Sequence, residues 1–134
     1  MSEELGVDNC FVCGKENPIG LKLKFRMEGD TVKSEFTPGK EHEGWNNITH
    51  GGIITAVLDD AMAYCIYSKG IIGYTAKIEV RFRKPIHTGT LLRITGKIVS
   101  KKKKHAVIRA WAAFQDGEVA AETEGLFSIA DTAD

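Results

Sequence analysis

No stretch of this sequence approaches the ~20 consecutive apolar residues that a bilayer-spanning helix needs, which argues against a helical membrane protein. Charge of one sign is lacking too: Lys and Arg together number 18, and so do Asp and Glu. A nucleic-acid binder usually shows a basic surplus or stripe. The only strongly basic block here is Lys101–Lys104, so no nucleic-acid partner is expected. The opening residues, Met-Ser-Glu-Glu-Leu-Gly, lack the basic start and apolar stretch of a signal peptide. Three cysteines are too few for a disulfide framework. These absences lead to the expectation of a cytoplasmic protein with no membrane partner. Neither a repeat nor a linker divides the chain, so residues 1–134 are expected to form a single domain around one core.

What is present falls into three stretches. The first, to about Gly20, is rich in turn residues and reads as a surface loop carrying Cys10 and Cys13. In the second, Leu21, Leu23 and Phe25 alternate with Lys22, Lys24 and Arg26, the period-two signature of a half-buried strand. Thr31–Phe36 is its expected hairpin partner across Glu28, Gly29 and Asp30. From Ile53 to about Lys69 the sequence is apolar on nearly every side, which predicts a helix buried all round and stopped at Gly70. The third stretch predicts antiparallel strands. Ala76, Ile78, Val80 and Phe82 alternate with Lys77, Glu79, Arg81 and Arg83, and Leu91–Ser100, His105–Gln115 and Val119–Ile129 follow. Lys101–Lys104 reads as a solvated turn, and Asp116-Gly117 as a hairpin. The layout is α+β, a sheet curled around a helix.

The chemistry concentrates in His50-Gly51-Gly52, followed by Asp59-Asp60. Paired glycines entering a helix leave backbone N–H groups open to a ligand, and the helix dipole favours a developing oxyanion there. Two turns later a carboxylate interrupts an apolar helix, which is costly without partners. The plain reading is that one of the two acids marks where the helix reaches solvent. Adjacent positions point ~100° apart, so at most one faces inward; periodicity does not choose between them.

Cys10-Phe11-Val12-Cys13-Gly14, Asn17-Pro18-Ile19-Gly20-Leu21, His50-Gly51-Gly52 with Asp59 nine residues after the histidine, Thr75-Ala76 and Arg83-Lys84-Pro85-Ile86 together resemble one family. It is the hotdog-fold acyl-CoA thioesterases of the phenylacetate-pathway type, including the mammalian thioesterase-superfamily proteins. The resemblance implies a five- or six-stranded antiparallel sheet around the helix, and a homo-oligomer, dimer or tetramer, with active sites between subunits. It implies hydrolysis of an acyl-CoA by Asp59, as nucleophile or as general base. A backbone N–H near Gly51 or Gly52 would polarise the carbonyl, with His50 holding the loop or lying near the leaving thiol. Thr75 would reach the site from the other subunit to position water. Arg83, Lys84 and Tyr74 are the implied substrate-binding residues. One departure stands out: some relatives carry Asn where this chain has Gly44.

No cofactor and no metal are expected. Structural zinc commonly takes two paired motifs, whereas Cys10-x-x-Cys13 is a single pair and reads as turn-forming packing. Two other functions stay open: a dehydratase or hydratase acting on 3-hydroxyacyl thioesters, and a non-catalytic acyl-CoA-binding module.

Overall fold

The computed structural model describes residues 7–130. Its centre is helix α1, Gly51–Tyr67. Ile54, Val57, Leu58, Ala61, Met62, Cys65 and Ile66 are buried along it, spaced at the intervals of three and four that keep side chains on one face. The other positions from Ile53 onward are half-buried, so the helix is not buried all round as its composition suggested. Each large side chain of this stripe, such as Leu58 or Ile66, contributes roughly 1.5–3 kcal/mol by leaving water. The helix ends as expected, with Gly70 at a positive φ of 77°.

A six-stranded antiparallel sheet wraps the helix: β1 (Arg26–Glu28), β2 (Thr31–Phe36), β3 (Gly73–Phe82), β4 (Leu92–Lys101), β5 (His105–Ala113) and β6 (Val119–Ile129). In space the order is β1-β2-β4-β5-β6-β3. The strand that follows the helix in sequence therefore crosses over to the far edge, where one side of β3 has no strand partner among the described residues. Small side chains at Ala106, Ala110, Ala112, Ala120 and Ala121, all buried, let the sheet curve closely over the helix. Gly125 adds to this floor, since a Cβ there would stand 2.9 Å from Met62 Cε and from Phe127 Cε1. No helix is long and apolar enough to cross a membrane among the described residues.

The expected strand at Leu21–Phe25 is the main correction. The hairpin is real, with Met27 opposite Val32 and Gly29 at φ 65°, but its first strand is only Arg26–Glu28. Residues 21–25 give their backbone to the first loop instead: Leu21 N–H donates to the Phe11 carbonyl at 2.8 Å, and Leu23 N–H to Val12 at 2.9 Å. Lys22, at φ 56°, breaks the extended run. The alternation was a signal of burial, since Leu23 is buried, and not of strand pairing.

Candidate active site

The chain enters α1 through two short backbone bonds, Thr49 N–H to the Ile86 carbonyl and His50 N–H to the His42 carbonyl, both 2.8 Å. His50 is the N-cap: its Nδ1 accepts the Gly52 N–H at 2.8 Å. That closure needs glycine at 52, because a Cβ there would lie 2.9 Å from the same Nδ1. The Gly52 N–H is thus committed. The Gly51 N–H donates to no acceptor among the described residues, and both glycines are exposed. Of the two expected oxyanion donors, Gly51 is the one left open.

Two turns along, Asp59 is half-buried, and its Oδ1 accepts a 2.7 Å hydrogen bond from the Thr75 hydroxyl on β3. In a regular strand Thr75 would share a face with Lys77 and Glu79, pointing away from the half-buried Ile78 and Val80. It does not, because the β3–β6 register slips between Thr75 and Lys77. Ala76 is the extra residue of a β-bulge, and the bulge turns Thr75 onto the helix. Thr75 therefore reaches Asp59 of its own chain. This corrects the expectation that the pair is assembled from two subunits.

The helix entry and Asp59 are not neighbours. Eight residues at 1.5 Å each separate Gly51 from Asp59 by about 12 Å, whereas a nucleophile and an oxyanion donor must both lie ~3 Å from the reacting group. A cleft of about 440 Å³ at the entry is lined by Trp45, Gly51, Phe82, Arg83 and Lys84, among others. Arg83 and Lys84, the substrate-binding residues that the resemblance implies, line this cleft with Gly51, and each is paired: Arg83 with Glu122 at 2.9 Å and Lys84 with Glu118 at 3.0 Å. Tyr74 sits at the other end of β3, beside Thr75, and is exposed. Phe82, at the entry end of the same edge strand, is exposed as well.

Asp60 points the other way. Its Oδ1 accepts from Cys10 Sγ at 3.5 Å, while its Oδ2 is buried without a hydrogen-bond partner among the described residues. Burial raises the Asp60 carboxyl above its ordinary range; the thiols of Cys13 and Cys10 pull it back down, and the Asp59 charge adds to the rise. Cys13 is pushed far above its usual range, first by burial and then by the Asp60 carboxylate. Potential ligand atoms of Cys10, Cys13 and Asp60 lie within 4.8 Å of one another. This cluster was missed in the sequence, although Cys-x-x-Cys-Gly and an acid in an apolar helix were both in view.

The model of the thioesterase superfamily matches residues 46–121, from just before His50 into β6. A 3-hydroxyacyl-acyl-carrier-protein dehydratase, FabZ of Zymomonas mobilis, is 34% identical over 110 residues, covering 77% of this chain and 68% of that protein. Among solved structures, a thioesterase superfamily protein superimposes with a TM-score of 0.81 at 26% identity over 87% of this chain, which spans 61% of that protein. The PaaI protein of the E. coli phenylacetic acid degradation operon gives 0.77 at 19%, over 84% of this chain and 82% of its own. A hypothetical thioesterase from Streptococcus pneumoniae, determined with coenzyme A, gives 0.78 at 16%, over 84% and 91%. That protein was also determined as two alanine variants, of an aspartate and of a threonine 16 residues further on, the separation of Asp59 and Thr75. With its hotdog arrangement of sheet and helix, and with more than half of its length matched by the family model, this chain belongs to the thioesterase superfamily.

Proposed function

We propose that the protein hydrolyses an acyl-CoA thioester, with Asp59 as the reacting carboxylate in a site completed by a second copy of the chain. The observation that carries this reading is the Asp59–Thr75 bond. Thr75 holds Oδ1 and so fixes the carboxylate's orientation, leaving Oδ2 free to act. As general base, Asp59 removes a proton from water as the water oxygen bonds to the thioester carbon. As nucleophile, it bonds to that carbon itself, and water then cleaves the anhydride. Either way the carbonyl oxygen becomes an oxyanion, and the C–S bond then breaks to release the thiolate, a tolerable leaving group.

The second copy follows from the 12 Å gap. The Gly51 N–H stands at the Phe82 end of β3, and Asp59 stands at the Thr75 end. Pairing the exposed β3 edges of two copies antiparallel, about a two-fold axis, sets the Phe82 end of one against the Thr75 end of the other. A ten-residue strand at the sheet edge, with Tyr74 and Phe82 exposed and no further strand beside it among the described residues, is a natural template for such pairing. Each site would then combine Asp59, Thr75 and Tyr74 of one chain with the Gly51 N–H, Trp45 and Phe82 of its partner. Arg83 and Lys84 lie where coenzyme A phosphates would approach, their charge partly offset by Glu122 and Glu118. The coenzyme A seen with the pneumococcal protein and its matching aspartate–threonine pair support the assignment.

The Zymomonas dehydratase supports a second reading, elimination of water from a 3-hydroxyacyl thioester. Against it, His50 is committed through Nδ1 to capping the helix. One panel separates the two: aromatic, medium-chain and 3-hydroxyacyl-CoA substrates, read for free thiol and for enoyl absorbance. Hydrolysis predicts thiol release from simple acyl-CoAs. Enoyl product without thiol release would favour the dehydratase.

A further inference from the structure

We infer that Cys10, Cys13 and Asp60 form a binding site for a thiophilic divalent metal ion of the zinc class. The inference is independent of the reading of Asp59. Three donor atoms from segments 50 residues apart converge within 4.8 Å. The loop is shaped around the first sulfur: Cys13 N–H donates to Cys10 Sγ at 3.5 Å, and Gly14 N–H closes the turn on the Cys10 carbonyl at 2.9 Å. Position 14 takes no other residue, since a Cβ would stand 2.6 Å from the Asp8 carbonyl oxygen.

Packing alone explains why the cysteines are half-buried, but not the acid among them. Asp60 Oδ2 is enclosed with no hydrogen-bond partner among the described residues, an arrangement that is costly for a buried polar atom. A cation held between two sulfurs and that oxygen removes the cost. Two thiolates and a carboxylate suit zinc rather than magnesium or calcium, which take oxygen ligands. Three protein ligands leave one tetrahedral position for water or an exogenous donor. On loading, each thiol releases its proton to solvent as its S–metal bond forms, and no electron is transferred. The ion would tie the first loop to α1 at the residue after Asp59. Cys65 is apart from this set: its Sγ bonds the Ala61 carbonyl inside the core.

The test uses the full chain, purified with Zn²⁺ present and dialysed against metal-free buffer. Mass spectrometry should find about one zinc per chain in wild type and in Cys65→Ser. Cys10→Ser, Cys13→Ser and Asp60→Asn should each lose about tenfold or more in zinc affinity. Because a ligand variant that misfolds loses zinc for that reason alone, Co²⁺ is also titrated into metal-free wild type. Thiolate-to-cobalt charge-transfer absorption and the strong visible bands of a tetrahedral ion are expected. Zinc absent from wild type after dialysis, zinc retained by both cysteine variants as in wild type, or cobalt bound without charge transfer would overturn the assignment.

Discussion

Thr75 donates its hydroxyl to Asp59 across 2.7 Å from the neighbouring edge strand of the same chain. Its role is to orient the carboxylate. Thr75→Ala is therefore expected to lower kcat by about 10-fold, less than loss of the acid itself, while Thr75→Ser restores most of it. Steady-state kinetics with thiol detection checks this. A Thr75→Ser variant as impaired as the alanine would mean that the methyl group, not the hydroxyl, matters.

Because Asp59 and Thr75 belong to one chain, mixing subunits has a definite outcome. Combining Asp59→Asn with Thr75→Ala chains regenerates no wild-type site. Combining Asp59→Asn with Gly51→Pro does, since the proposed site draws those two groups from different copies. Proline suits position 51: it is the first helical residue, where its missing N–H breaks no helix bond. His50, at ψ 130°, already has the conformation that a following proline requires. Gly51→Pro alone should cost ~10²–10³ in kcat, and a 1:1 mixture with Asp59→Asn should recover up to about a quarter of the sites. No recovery, with subunit exchange demonstrated, would contradict the composite site.

His50 is expected to act through the helix entry. His50→Ala leaves the Gly52 N–H without its cap and should destabilise the fold by about 0.5–2 kcal/mol. Asparagine is a good N-cap, so His50→Asn should restore the melting temperature and most of the rate. If His50→Asn folds like wild type but is as slow as the alanine variant, the imidazole has a chemical role beyond capping.

The core makes a simpler expectation. Leu58 is fully buried beside Asp59, and Leu58→Ala should cost about 2–5 kcal/mol through lost burial and the cavity left behind, measured by urea unfolding.

Much of this structure was legible because its periodicities are strong. The apolar run after Gly52 could only be a core helix, and Val119–Ile129 appears with the bounds its turns suggest. What escaped was decided by contacts between distant segments. Leu21–Phe25 alternates like a strand, but Phe11 and Val12 take its backbone bonds. Thr75 lies on the helix side only because Ala76 bulges, and a bulge leaves no mark in an alternating pattern. Asp59 and Asp60 are indistinguishable along the chain. One meets β3 and the other meets the cysteine loop, and the latter partner lies 50 residues away.

Asp59→Asn gives the most direct test of the central claim. The amide keeps the shape and still accepts from Thr75, but it neither attacks nor takes a proton. Wild type, Asp59→Asn and Asp60→Asn, matched for melting temperature, are compared on the best acyl-CoA of the panel by the rate of thiol release. The account predicts a loss of ~10²–10⁴ in kcat for Asp59→Asn and a much smaller one for Asp60→Asn. Asp59→Asn releasing thiol as fast as wild type would contradict it.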